Sequence, residues 1–357
     1  MKKLLIISKD QFGYHTDIFK WCEYLRDEYE IETVTFKGRP KVELSGVKNH
    51  YVSNSGKIQI RGLRYILTCL WHILFFKGII LVCHFKECYI LKKCFPWKKM
   101  ILDIRTLGVS KDNNLRKRTD AIIKKNTEKF DYVTIISDGL RKKLSLPEEK
   151  SAILPLGADA ASKTTKSFDK LRLLYVGTLS NRDIHKTIEG VAIVVNKEKL
   201  QNIHYDIIGD GLGNELEELK QLVAEKGIEN YVTLHGYIQH NKLQSFLDNC
   251  NIGVSFVPVT EYYEYQPVTK SFEYILSGLY TIATNTYSNR EIITKENGIL
   301  IEDTPESFAK AILEIYSRKE TIDGKVISST LQEYKWENLV NNKLKPILDN
   351  YCKKQNQ

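Results

Sequence analysis

Short apolar runs rich in β-branched residues alternate with helix-length amphipathic stretches along this chain of 357 residues. A strand covered by helices on both faces must be apolar throughout, so this alternation is the pattern of parallel sheets sandwiched between helices. In the first half, Leu4–Ser8, Ile31–Phe36, Ile79–His84, Met100–Ile104, Tyr132–Ile136 and Ala152–Pro155 read as strands. A second series follows at Leu171–Val176, Tyr205–Gly209, Val232–Gly236, Ile252–Val257, Tyr280–Thr284 and Gly298–Ile301. The length exceeds one ordinary core and suits two. Between the series lies a small, polar stretch without apolar period, Asp159 to Lys170. The expected division is therefore a domain over 1–160, a linker over 161–170, a second domain over 171–335, and a terminal helix over 336–357 returning to the first domain. Open α/β sheets bind ligands at the carboxyl ends of their strands, so a cleft shared by the two domains is expected.

Composition excludes several classes. Hydrophobic residues at 42% and charged residues at 27% are ordinary for a globular protein, which argues against disordered, collagen-like and coiled-coil chains. The seven cysteines show no paired short spacing of a zinc or redox site, so a reducing, cytoplasmic setting is expected. The apolar run after Met1-Lys2-Lys3 is only five residues long before Lys9-Asp10, and reads as a first strand rather than a signal sequence. Residues 63–85 are apolar but carry Arg64, His72, Lys77 and Gly78, so they read as a buried helix followed by a strand.

Charge is unevenly divided. Residues 1–165 hold 31 Lys/Arg against 18 Asp/Glu, and residues 166–357 hold 22 against 26. From Lys57 to Lys99 there are nine basic residues and one acid, Glu87, interleaved with Trp71, Phe75, Phe76, Phe95 and Trp97. Such a stretch suits an anionic membrane surface, with Lys92, Lys93, Trp97, Lys98 and Lys99 expected to be its most exposed part. Nucleic acid is disfavoured, because no nucleic-acid-binding motif accompanies the charge.

The densest chemical signal runs from Gln266 to Gly278, Gln-Pro-Val-Thr-Lys-Ser-Phe-Glu-Tyr-Ile-Leu-Ser-Gly. Pro267 suits the first turn of a short helix and Gly278 its left-handed cap. The helix start would offer its free backbone N–H groups near Thr269 and Lys270 to a diphosphate, Lys270 a full positive charge, and Glu273, one turn deeper, a carboxylate for two ribose hydroxyls. The alternative is that Lys270 and Glu273 form an ordinary surface pair three residues apart.

This block resembles the Pro-x-x-Lys-x-x-Glu-Tyr-x-x-x-Gly stretch of glycosyltransferase family 4. Further segments follow in the family's order: Tyr175-Val176-Gly177-Thr178-Leu179-Ser180-Asn181-Arg182, Ile207-Ile208-Gly209-Asp210-Gly211, Val232-Thr233-Leu234-His235-Gly236-Tyr237 and Ile252 to Pro258. The resemblance covers residues 171–301 and implies an α/β chain of the GT-B fold, two Rossmann-like domains facing a central cleft. It implies a retaining transferase that moves sugar from a nucleotide-sugar donor, UDP- or GDP-linked, with no cofactor and no metal. It places Arg182, Lys270 and Glu273 in the catalytic centre and Gly177, Thr178, Gly209, Tyr237, Pro267, Val268 and Thr269 around the donor. The N-terminal half is more loosely similar. There Gly13, Asp103 and Arg105 are acceptor-side candidates, with a buried ion pair as the alternative for the last two. One position departs from the family: Tyr265 stands where many members carry a second glutamate, with Glu264 beside it. The acceptor implied is a glycan or lipid-linked glycan of bacterial surface polysaccharide synthesis. Competing readings are a nucleotide-sugar-binding protein without transfer activity and a sugar-nucleotide epimerase of the same fold. A dehydrogenase is disfavoured, since no Gly-x-Gly-x-x-Gly follows the first strand.

Overall fold

The computed structural model describes residues 1–38, 41–239 and 242–353, and divides into two compact units, Met1–Leu156 with Trp336–Gln357, and Gly157–Lys335.

The first unit is a seven-stranded, all-parallel sheet. Its strands are β1 (Lys2–Ile7), β2 (Tyr29–Phe36), β3 (Val47–Val52), β4 (Ile79–Cys83), β5 (Met100–Ile104), β6 (Tyr132–Ile135) and β7 (Ser151–Ile153), in the order β3-β2-β1-β4-β5-β6-β7. Helices α1 (Thr16–Leu25), α2 (Ile58–Phe75), α3 (Tyr89–Cys94), α4 (Asn113–Lys129) and α5 (Asp138–Leu144) connect them. The central strands are apolar because both faces are covered, and Leu4, Leu5, Ile79, Ile80 and Ile101 are all buried.

The final segment of the chain packs on one face of this sheet. Trp336 and Leu339 of α14 (Trp336–Leu339) and Leu348 of α15 (Lys345–Lys353) join Trp21, Leu4, Ile79, Leu81 and Leu154 in one buried cluster. Polar contacts fix the same seam, with Lys2 paired to Asp349 at 2.6 Å and the Tyr29 hydroxyl donating to the same carboxylate.

Two expectations for this unit need correction. Helix α2 buries only Tyr65, Cys69 and Ile73, while Leu63, Leu67, Trp71, Leu74 and Phe75 are exposed, so it is a half-buried helix rather than a buried one. Lys92, expected on the surface, is buried. Its ammonium donates to Asp131 at 2.7 Å and to the carbonyls of Pro96 and Lys98, because the turn after α3 folds back over it. Lys98 is half-buried, donating to the Phe76 carbonyl at 2.7 Å, whereas Lys93, Trp97 and Lys99 are exposed.

The second unit is a six-stranded parallel sheet of β8 (Leu171–Val176), β9 (Ile203–Ile208), β10 (Val232–Gly236), β11 (Ile252–Ser255), β12 (Tyr280–Thr284) and β13 (Gly298–Ile301), in the order β10-β9-β8-β11-β12-β13. Its helices are α6 (His185–Ala192), α7 (Glu215–Lys226), α8 (Gln244–Asn249), α9 (Glu261–Glu264), α10 (Thr269–Leu276), α11 (Tyr287–Arg290), α12 (Pro305–Ser317) and α13 (Gly324–Ser329). Residues 161–170, expected as a linker, are built into this unit. The amides of Ala161 and Ser162 donate to Ser277 Oγ, and Asn251 Nδ2 donates to the carbonyls of Ser167 and Lys170 at 2.6 and 2.7 Å. Lys166 donates to the carbonyls of Leu247 and Asp248, and burial lowers its pKa.

The strand order reverses between β8 and β11, the point at which an open α/β sheet forms a crevice. The two strands pair only at Leu173–Ile252 and Leu174–Gly253, although β8 continues to Val176. Beyond that, the Val176 amide donates to the Tyr274 hydroxyl of α10 at 2.9 Å. A side chain thus replaces the sheet ladder and holds the strands apart.

Candidate active site

Helix α10 follows β11 and supplies the residues of the Gln266–Gly278 block. It begins at Thr269 with Val268 as its N-cap, so Pro267 lies just outside the first turn, where it keeps the incoming chain extended. Three contacts fix the helix. Ser271 Oγ meets Ser255 Oγ at the end of β11 at 2.6 Å, Tyr274 reaches β8 as above, and Ser277 ties its end to Ala161 and Ser162. The Tyr274 ring lies against Gly253, where an added Cβ would stand 2.4 Å from the ring carbons.

On this braced helix Lys270 Nζ and Glu273 Oε2 are 2.5 Å apart, with 24% and 17% of their side chains exposed. The surface-pair alternative is thus present as geometry, but the pair is half-buried and spans the first two turns of the helix that Tyr274 ties to β8. It joins a cation and a hydroxyl-accepting carboxylate in one place.

Gly177, Thr178 and Gly209 are brought together by two interlocked β–α loops. The Gly177 amide donates to the Ile208 carbonyl at 3.0 Å, Leu179 to Asp210 at 2.9 Å, and the Tyr175 hydroxyl to the Thr178 carbonyl at 2.7 Å. A Cβ on Gly209 would stand 1.8 Å from the Gly177 carbonyl oxygen, so only glycine permits this approach. Ser180 locks the lower edge, donating to Glu215 at 2.5 Å and accepting from Leu212 N at 2.8 Å.

Arg182 stands apart from the Lys270–Glu273 pair in its contacts. Its guanidinium lies 4.6 Å from the Tyr263 ring centre, and the Tyr263 hydroxyl donates to the Asn181 carbonyl at 3.3 Å. Both neighbours, Asn181 and Asp183, hold left-handed backbone conformations, φ 59° and 52°. Asn and Asp are the non-glycine residues that enter this region most readily, so the sequence around Arg182 suits the turn that carries it. Tyr237, after β10, is exposed. His235 bonds to Asp206 at 2.7 Å and stacks edge-on with Phe246, a structural role. Glu264, beside the departing Tyr265, accepts from the Tyr287 amide at 3.0 Å and from Arg290 at 2.5 Å, while Tyr265 packs on Tyr287. Glu264 is therefore committed to α11.

In the first unit Gly13 has φ 83° and its backbone lies against Val42. Asp103 is buried, accepts from Thr134 Oγ1 at 2.7 Å, and lies 3.5 Å from Arg105 Nε. Burial raises the Asp103 pKa, and Arg105 opposes the rise. Arg105 also pairs with Asp17 at 2.7 Å and donates to the Leu154 carbonyl at 2.5 Å, with its guanidinium 4.9 Å from the Trp21 ring centre. These contacts join β5, α1 and the end of β7, the brace that a buried ion pair provides. A histidine-carboxylate trio, Glu32, His50 and His72, also converges in this unit, with donor atoms within 4.8 Å of one another. It was not legible in the sequence, because its members come from β2, β3 and α2.

Sequence reasoning also missed Tyr274 and Tyr263. Tyr274 is adjacent to Glu273, but its partner Val176 is 98 residues away. Tyr263 carried no motif at all.

Solved structures with the same architecture are similar over almost the full chain. Sucrose-phosphate synthase from Thermosynechococcus elongatus matches with a TM-score of 0.77 and 17% identity, covering 99% of this chain and 100% of that one. HepE of Anabaena in complex with UDP matches at 0.75 and 13%, covering 97% and 99%. The lipopolysaccharide outer core galactosyltransferase WaaB matches at 0.73 and 16%, covering 98% and 99%. These likenesses establish the GT-B fold. No curated protein matches the chain. Residues 170–318 match the family model described as Glycosyl transferases group 1, a span that holds Gly177, Arg182, Gly209, Lys270 and Glu273. The chain is thus a glycosyltransferase on the GT-B fold, and the group 1 match lies within the second unit.

Proposed function

We propose that this protein is a retaining glycosyltransferase that moves a sugar from a UDP- or GDP-linked donor to a hydroxyl of a glycan or lipid-linked glycan, as a step in bacterial surface polysaccharide synthesis on the cytoplasmic side of the membrane. The observation that carries the reading is the half-buried pair of Lys270, in the first turn of α10, and Glu273, one turn deeper, on a helix that Tyr274 braces against β8 where β8 and β11 part. As the bond to the leaving diphosphate breaks, negative charge grows on it. Lys270, Arg182 and the first-turn amides of Thr269 and Lys270 stabilise that charge with little reorganisation, since the helix is already fixed. Glu273 accepts the ribose hydroxyls. The departing phosphate takes the proton of the acceptor hydroxyl, which attacks from the same face and retains configuration. Pro267 and Val268 hold the helix start, Gly177, Thr178 and Gly209 shape the loops beneath it, and Tyr237 lies at the base.

The test is thermal unfolding with a panel of nucleotide sugars, beginning with UDP-linked donors because HepE was solved with UDP. A donor at one hundred times its dissociation constant should stabilise by about 2.7 kcal/mol. Lys270→Ala and Glu273→Ala should each remove most transfer while the protein stays folded, each losing a charge-assisted bond of about 1.5–3 kcal/mol. Wild-type kinetics in both variants would exclude this site. Donor turnover without any acceptor would point instead to an epimerase.

A further inference from the structure

Among the described residues, seven of the large hydrophobic side chains exposed to solvent sit on the single helix α2: Ile58, Ile60, Leu63, Leu67, Trp71, Leu74 and Phe75. Six of them, from Ile60 onward, recur at three- and four-residue steps and form one stripe, opposite the buried Tyr65, Cys69 and Ile73. At 1.5 Å per residue the stripe is roughly 22 Å long. Trp97 extends it. Lys98 bonds to the Phe76 carbonyl, which brings the segment after α3 to the end of α2, and Trp97 is 69% exposed there. Of the four tryptophans, Trp21 and Trp336 are core residues, and the two exposed ones both belong to this surface.

The rim is cationic. Lys57, Lys77 and Lys93 are exposed, and Arg61 and Arg64 bond to Asn54 and to the backbone of Ser53 and Asn54 rather than to carboxylates. No helix among the described residues is long and apolar enough to cross a membrane. An apolar stripe with tryptophans, flanked by cations and too polar to span, has the chemistry of a helix lying in the plane of a lipid interface.

We infer that α2 docks the first unit on an anionic bilayer, with Leu63, Leu67, Trp71, Leu74 and Phe75 seated among the acyl chains and Lys57, Lys77 and Lys93 against the headgroups. A second copy of the chain is the less suitable occupant, because a two-fold contact would press one cationic rim against its identical counterpart. The inference deepens the proposal of a lipid-linked acceptor and rests on that reading only for its purpose, since the surface itself is independent of the donor site.

The experiment uses the full chain and vesicles of phosphatidylcholine alone or with phosphatidylglycerol. Sedimentation with the anionic vesicles and a blue shift of tryptophan emission are expected, with weaker binding at high salt. Leu67→Ser with Trp71→Ser should lower vesicle affinity at least tenfold, and Lys57→Gln, Lys77→Gln and Lys93→Gln together should lower it for anionic vesicles only. All these positions are on the surface, so unfolding temperature and nucleotide-sugar binding should be unchanged, which separates this result from the fate of the donor-site reading. Failure of the wild-type protein to bind anionic vesicles at low salt overturns the inference. So does equal binding by the serine variant, or a concentration-dependent dimer that the serine substitutions abolish while vesicles stay unbound.

Discussion

Replacing Tyr274 by Phe isolates the contact that keeps β8 and β11 apart. The ring is retained and only the hydroxyl is lost, yet that hydroxyl accepts the Val176 amide where the strand ladder has ended. Tyr274 is fully buried, so no water replaces it, and a buried amide without an acceptor costs about 1–3 kcal/mol. For a unit of this size each kcal/mol lowers the unfolding temperature by about 2–4 °C, so a fall of roughly 4–8 °C is expected for the middle of that range. Gly253→Ala reaches the same bond from the other side. Its Cβ would stand 2.4 Å from the Tyr274 ring, forcing the ring away and losing the hydrogen bond as well. Because both changes remove one bond, the double variant should be destabilised by less than the sum of the singles, by about the value of that bond. The assay is thermal unfolding of all four proteins, with hydrogen exchange at the Val176 amide as the local readout. An unfolding temperature unchanged in Tyr274→Phe, or strict additivity, would refute the wedge.

Other outcomes follow from single contacts. Arg182→Ala should weaken binding of the free nucleoside diphosphate about tenfold or more in calorimetry, whereas equal affinity would assign Arg182 to the Tyr263 contact alone. His84 accepts from Asn126 Nδ2 at 3.0 Å, and burial pushes its pKa down to about 4. The unfolded chain, titrating near 6.5, then binds the extra proton between those values, so stability should fall by about 3 kcal/mol as pH drops from 6.5 to 4. Denaturant unfolding should show that acid loss diminished in His84→Gln. Lys92→Ala should destabilise by about 2 kcal/mol, since Asp131 and two carbonyls lose their donor, whereas Lys93→Ala should leave the unfolding temperature unchanged.

Much of the second unit was legible because its signals are local. The six apolar runs from Leu171 to Ile301 all correspond to strands, since a strand covered on both faces must be apolar whatever its neighbours. Gly209 was named through the family resemblance, and the structure supplies the reason, a loop approach to Gly177 that excludes any side chain. Strand β3 was not legible. It lies at the sheet edge, and Val47-Lys-Asn-His-Tyr-Val lacks an apolar run because most of it is only partly covered. The sequence also carried the nature of Lys270 and Glu273 and their spacing of three, which on any helix puts them side by side. What tertiary structure alone decided were contacts between residues far apart in the chain. The apolar period of α2 is the same whether its second face meets a core or solvent, so only packing revealed the exposed stripe. Lys92 and Lys93 are neighbours of one type, and the turn after α3 buries the first and leaves the second in water. Asp103 and Arg105 suit either a site or a brace, and Asp17, Thr134 and Leu154 gathered around them supply the brace. Periodicity and short spacing are properties of a segment, whereas burial and pairing belong to whichever distant segment folds against it.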